Sequence, residues 1–319
     1  MTNENKLDDN IDFIQEFNTI VESANDESKF NHDRYFRFAF ADTGRMTELL
    51  KLSAKKKPSL KAFLNTIDIS TLRGAPENSS TAKHTSSADL VFEADIKGNG
   101  GKAGLYVGII TEHKSTNKDD VMRQLSEYHH HLFIEHNKDI PVVAFIVYNG
   151  EMDWNPLSKP HFANYPEYYH DIGYPFKVEF LDVGHGVSDA DLKGLSPMTL
   201  VALTAMKYIW NAEQFSVSFK EAAVRLLKMQ NSDTGKEFIK QSLSYFFWKW
   251  PYKENSEVIK MDSPEAVANK GYESFAEHFL RVGKEQSVRE LAKGFRDSGV
   301  SLAIIAKQTG LSEAEIKAL

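Results

Sequence analysis

In 109-IITEHKST-116 an apolar run ends on a glutamate and a lysine two residues apart, Glu112 and Lys114. A strand repeats every two residues, so these two share one face while Thr111 and His113 take the other. An aspartate, Asp89, opens the earlier segment 89-DLVFEADI-96, and the glycine-rich 97-KGNGGKAG-104 between them reads as the turn of a hairpin. In such a hairpin the start of the first strand faces the end of the second. Depending on register, Asp89 and Glu112 therefore converge at one end of a sheet. Two carboxylates are hard oxygen ligands for a divalent cation, and a lysine sets an ammonium beside it. That set suits hydrolysis of a phosphodiester, in which negative charge develops on phosphate oxygens. The bland reading of the same spacing is an exposed ion pair at a sheet end, which is worth little. Glu93 and Asp95 alternate onto the face of Asp89; they read as a solvated polar face, or as replacement ligands should the register differ.

These residues need a frame. The segment 31-NHDRYFRFAFADTGRMTELLKLSA-54 has apolar residues at helical spacing with a break at Asp42-Thr43-Gly44. The hairpin follows, then the helix 118–137, with Asn117 as its N-cap and Val121, Leu125, Tyr128 and Leu132 as its apolar stripe. A continuous apolar strand, 141-PVVAFIVYNG-150, closes on Asn149-Gly150, and a last strand lies near 176–184. The expected fold class is α/β: a mixed sheet flanked by helices, followed by an all-helical C-terminal region. The expected divisions are a polar leader (1–30), a core (31–190), a helical region (191–296) and a short helical hairpin (297–319). In that hairpin Gly310 sits in the turn and Ser312 caps the second helix.

Composition narrows the classes. The 319 residues are 41% hydrophobic and 26% charged, carry a net charge of -7, and include no cysteine. Disulfides and thiolate metal sites are excluded. No apolar run reaches the ~20 residues of a bilayer span, and 1-MTNENKLDDN-10 reads as neither signal peptide nor anchor, so the expected location is the cytoplasm. The acidic balance argues against nucleic-acid binding over the whole surface but leaves room for a local basic patch. Lys51, Lys55, Lys56, Lys57 and Lys61 form the most basic stretch; they read as a solvated face or as phosphate contacts. Segment 98–104 lacks the glycine spacing and the Ser or Thr of a phosphate loop. In 129-HHH-131 successive positions diverge by about 100° on a helix, so the three rings cannot share one ion. The tail, with Glu313 and Glu315 on a short second helix, lacks the donors of a groove reader.

The pattern Asp89…Glu112-His113-Lys114 resembles the D…(D/E)-x-K signature of the PD-(D/E)xK phosphodiesterases. The segments 32-HDRYFRFAF-40, 112-EHKS-115, 141-PVVAFIVYNG-150 with Trp154, and the tail 301–319 resemble one branch of them, the Rpn or YhgA-like recombination-promoting nucleases and transposases. The resemblance implies a restriction-endonuclease-like core and a metal-dependent endonuclease acting on double-stranded DNA. It implies Asp89, Glu112 and the backbone carbonyl of His113 as ligands of Mg²⁺ (with Mn²⁺ or Ca²⁺ as substitutes) and Lys114 as the catalytic lysine. The run 124-QLSEY-128 resembles a Q-x-x-x-Y element that places Gln124 and Tyr128 beside the site, and 32-HD-33 brings Asp33 towards it. Ala88 stands where the signature has proline, and Lys114 where many members of the branch have glutamine. One such site makes one cut, so a double-strand product favours a homodimer. The alternative is a module that keeps this fold, binds nucleic acid or protein, and has no turnover.

Overall fold

A computed structural model describes residues 3–24, 31–74, 90–97, 106–116, 121–136, 141–158, 164–230, 232–261, 292, 293, 296, 302–309 and 311–319. Helix α1 spans Asn3–Ser23. Helix α2, His32–Phe40, starts where Asn31 Oδ1 accepts from the Arg34 amide (2.9 Å). The N-cap is thus Asn31, and His32 and Asp33 already lie in the first turn. The break at Asp42 is a second cap: Asp42 Oδ1 accepts from the Arg45 amide and opens α3, Thr43–Lys56. Pro58 opens α4, Pro58–Thr66, at the position where a missing N–H does no harm.

Five strands follow among the described residues: β1 Ile67–Gly74, β2 Leu90–Ile96, β3 Tyr106–Lys114, β4 Val142–Tyr148 and β5 Lys177–Asp182. They form one open sheet in the order β1-β2-β3-β4-β5. The first three are antiparallel and the last three parallel. Strand β1 was not expected from sequence, and its pairing with β2 is irregular between Asp68 and Arg73. Helix α5, Val121–His136, connects β3 to β4. Its expected cap, Asn117, lies outside the described residues.

Every residue of β4 is buried, as in a parallel strand covered on both faces. On one face Val142, Ala144, Ile146 and Tyr148 join Val121, Leu125 and Tyr128 of α5 in a single apolar cluster. On the other, Phe36 of α2 stacks on His113 of β3 at 5.2 Å between ring centroids. After β4, a Cβ at Gly150 would collide with the Tyr148 ring, so glycine alone fits beside Asn149.

The helical run comprises α6 Val183–Gly186, α7 Asp189–Leu192, α8 Pro197–Tyr208, α9 Ala212–Met229, α10 Asp233–Lys249 and α11 Tyr252–Ile259. It packs directly on the sheet region: α6 on β4 and β5, α8 on α3, and α10 on α2. Contacts therefore group Gln15–Met261 into one compact unit, with no division near residue 190. The Asn18 side chain closes that unit, donating to Met261 O (3.0 Å) and accepting from Met261 N (2.9 Å). The second unit, Met1–Ile14 with Asp262–Leu319, contains α12 Leu302–Thr309 and α13 Glu313–Ala318. There Ser312 caps α13 in a reciprocal box with Glu315, and Ile305 and Ile316 pack with Ala292. Most of residues 262–296 of the expected helical region, and Gly310, lie outside the described residues. The fold is mixed α/β, mostly helical, with a small open sheet. No described helix is long and apolar enough to cross a membrane.

Candidate active site

Strand β2 begins with Leu90 directly opposite Thr111 of β3, and the ladder runs on to Asp95 opposite Tyr106. Asp89, the chain neighbour of Leu90, lies outside the described residues. Glu112 pairs through its backbone with Ile146, and Lys114 with Tyr148, both of the α5-facing cluster. The side chain of Glu112 is likewise outside the description. The register also bears on Glu93 and Asp95. Glu93 faces Gly108, three residues from Leu90 and so about 10 Å back along the strand. Both acids are held by Arg73, at 3.2 Å to Glu93 and 2.9 Å to Asp95. They are a charged patch on the β1–β2 ribbon, away from the strand end.

Between the two residues singled out for chemistry, His113 points the other way and is 1% exposed. Its Nε2 lies 2.8 Å from Asn149 Oδ1 and its Nδ1 3.3 Å from Asp33 Oδ1. Asn149, 0% exposed, is bonded all round. Its amide nitrogen donates to Met206 O (3.1 Å) and to Tyr245 Oη (3.1 Å). Because Met206 O can only accept, the amide cannot be flipped, and Oδ1 is left to accept from His113 Nε2–H. The Asn149 backbone N–H donates to Lys114 O (3.0 Å), and its carbonyl accepts from Trp210 Nε1 (2.5 Å). Tyr245 Oη in turn meets His32 Nδ1 at 2.5 Å. The result is a polar clasp, Asp33–His113–Asn149–Tyr245–His32, that joins α2, β3, the end of β4 and α10.

Charge states follow from this packing. The hydrogen bond to His113 holds the Asp33 carboxyl below the usual carboxylate range; burial opposes this, while the charges of His113 and Lys114 reinforce it. Burial lowers His32 to about 3, with His113 adding to the effect. His32 therefore stays neutral and can accept the Tyr245 hydroxyl. Burial pushes the Tyr245 phenol well above its ordinary value.

On the opposite side of β3, α5 presents Gln124 and Tyr128, four apart and so on one helix face. Tyr128 belongs to the buried cluster. Gln124 Oε1 is buried yet has no hydrogen-bond partner among the described residues. Such an atom is rare and calls for a polar species to meet it. Lys114 is half-buried, and strand alternation gives it the face away from His113.

The remaining expected residues are dispersed. Lys51, Lys55 and Lys61 are exposed on α3 and α4, Lys57 joins the two helices, and Lys56 is bound to Asp191 at 2.6 Å. In the histidine triplet the His129 ring packs near Phe176 and His130 is exposed. Among the described residues no group of three or more His, Cys, Asp or Glu is placed to hold a metal ion. Sequence reading took Asn149 for a turn residue and missed Tyr245 and Trp210 altogether. A histidine flanked by two candidate site residues, and so facing the core, was the available signal: a buried imidazole needs partners.

A family model described as "Putative transposase, YhgA-like" matches residues 30–237. The chain belongs to that family. The YhgA-like match takes in the whole sheet and α2 through α9, and with them Asp33, His113, Asn149, Met206 and Trp210; Tyr245 lies beyond it. The description of the YhgA-like family connects the chain to mobile DNA elements. No curated protein and no solved structure matches the chain.

Proposed function

We propose that the chain is a metal-dependent DNA endonuclease whose reaction takes place at the end of β3 on the α5 side. The observation that carries the reading is Gln124 Oε1, a buried acceptor with no partner among the described residues, on the helix that packs against the strand bearing Lys114. The register supports it: Leu90 and Thr111 are paired, Glu112 follows Thr111 in β3, and Asp89 precedes Leu90 in the sequence. Membership of a transposase family supports DNA as the substrate, and the restriction-endonuclease-like arrangement belongs to the same proposal.

The donor set fits a hard cation. Asp89, Glu112 and the carbonyl of His113 would hold Mg²⁺ through oxygen alone. When bound, the ion supplies Lewis-acid neutralisation of the phosphate charge. The Lys114 ammonium stabilises the charge that builds on the phosphate oxygens as water adds and the ester oxygen leaves. Gln124 Oε1 accepts a hydrogen bond from the attacking water and orients it, with Tyr128 packed against the same helix face. Water and a phosphodiester yield a phosphomonoester and an alcohol. The lysines of α3 and α4 are candidate contacts for flanking phosphates.

The test is incubation of supercoiled plasmid with the full chain and Mg²⁺. Nicked or linear product is expected, lost in EDTA and in Glu112→Gln. Duplex binding that falls with salt, ignores EDTA and comes without cleavage would replace this reading with a binding module.

A further inference from the structure

The clasp behind β3 is built more elaborately than sealing a sheet end requires. Apolar side chains of similar volume would close the same space at least as stably, because buried polar groups must first be stripped of water. Hydrogen bonds add direction, which apolar contact does not. Here one residue holds two consecutive positions of β3. The Asn149 backbone N–H grips Lys114 O, and its side chain grips the His113 ring. Asn149 is itself fixed by Met206, Tyr245 and Trp210, so it cannot turn. The far end of the clasp is Asp33, whose side chain is 56% exposed although it contacts a fully buried ring. A carboxylate at the surface adds little to stability, yet this one is the last link in a chain that ends on the backbone of Lys114.

We infer that Asp33, His113 and Asn149 are positioning residues that set the direction of the Lys114 strand end from the face opposite the chemistry. The inference rests on the nuclease reading and deepens it. Asp33 orients the His113 ring, the ring and Asn149 together fix the peptide between Glu112 and Lys114, and a small rotation there would move the ammonium. A displacement of about 1 Å in a reacting group lowers a rate by roughly 10²-fold.

Steady-state cleavage of a short duplex by the full chain tests this with Asp33→Asn, Asp33→Glu, His113→Gln and the Asp33→Asn/His113→Gln double variant. Asp33→Asn keeps the shape of a surface side chain, so folding is preserved. It should lower kcat about 10- to 100-fold, with KM within about twofold and the thermal midpoint lower by no more than about 4 °C. Asp33→Glu should restore part of the loss. The double variant should be no worse than His113→Gln alone, because both changes break one link. If the wild type cleaves and Asp33→Asn keeps its kcat within about twofold, or if the two losses multiply, the clasp is packing and the inference is overturned alone. A wild type that does not cleave overturns both the inference and the nuclease reading.

Discussion

The two faces of β3 near its end are opposites. Behind it, His113 and Asn149 are buried, and every polar atom of Asn149 is bonded. In front, Lys114 is half-buried and Gln124 Oε1 is buried without a partner among the described residues. A core saturates its polar groups because an unsatisfied one costs about 1–3 kcal/mol. Gln241 Oε1 on α10 is a second buried acceptor of this kind; on the proposed reading, the Gln124 acceptor is left for a polar species that binds beside Lys114. On that reading, the contrast separates a holding face from a working face of one strand.

The sharpest way to break that contrast is Lys114→Ala. Removing a group that meets developing charge should lower plasmid cleavage about 10²- to 10³-fold, while the thermal midpoint stays put. Cleavage at the wild-type rate would remove the lysine from the chemistry. Next come matched substitutions on the two faces. Asn149→Leu strands Met206 O and His113 Nε2 in the core and should destabilise by about 3 kcal/mol or more, lowering the midpoint by roughly 6–12 °C. Gln124→Leu removes an acceptor that has no partner among the described residues. It should leave the midpoint unchanged or raise it by a few degrees, yet lower cleavage about tenfold. Equal losses of stability in calorimetry would mean that the faces do not differ.

The smallest effect concerns pH. Unfolded His32 takes its proton near 6.5, whereas in the fold burial lowers that value to about 3. Between these values the unfolded state holds more protons, so stability falls as pH is lowered from about 6.5 towards 3. The slope from this residue is at most about 1.4 kcal/mol per pH unit, and above 6.5 it vanishes. Depressed carboxylates such as Asp33 and Asp191 lose their contribution only below about pH 4, so the range 6.5–4.5 isolates histidine. His129, also lowered by burial, adds a slope of the same sign. In melts at pH 7.0, 5.5 and 4.5, His32→Gln should flatten the dependence; an unchanged slope would mean that His32 is not held neutral.

Local pattern carried the hairpin and β4. Phe92 and Ala94 are buried on β2 as alternation requires, and the apolar run 142–148 is a strand covered on both faces. The Ser312 cap was equally legible, since the oxygen acts within three residues, whereas Asp42 read only as a break and proved to be a cap. Strand β1 escaped because 67-IDISTLRG-74 buries only Ile67 and Leu72, and its irregular pairing breaks the period. The clasp escaped for a different reason. Asn149 meets His113, Met206 and Tyr245 across 36, 57 and 96 residues, and an Asn-Gly pair after a strand looks locally like a turn. Glu112 and Lys114 could be chosen by type and spacing. The residues behind them are defined only by what the folded chain brings to them.

The paired hydrogen bonds of Asn18 with the backbone of Met261 have a topological consequence. The two ends of the larger unit are stitched within one side chain's reach, so that unit is nearly a closed loop. Joining its ends with a brief spacer and opening the polypeptide at the exposed bend around residues 151–153 would reorder the genetic sequence while leaving every element in place.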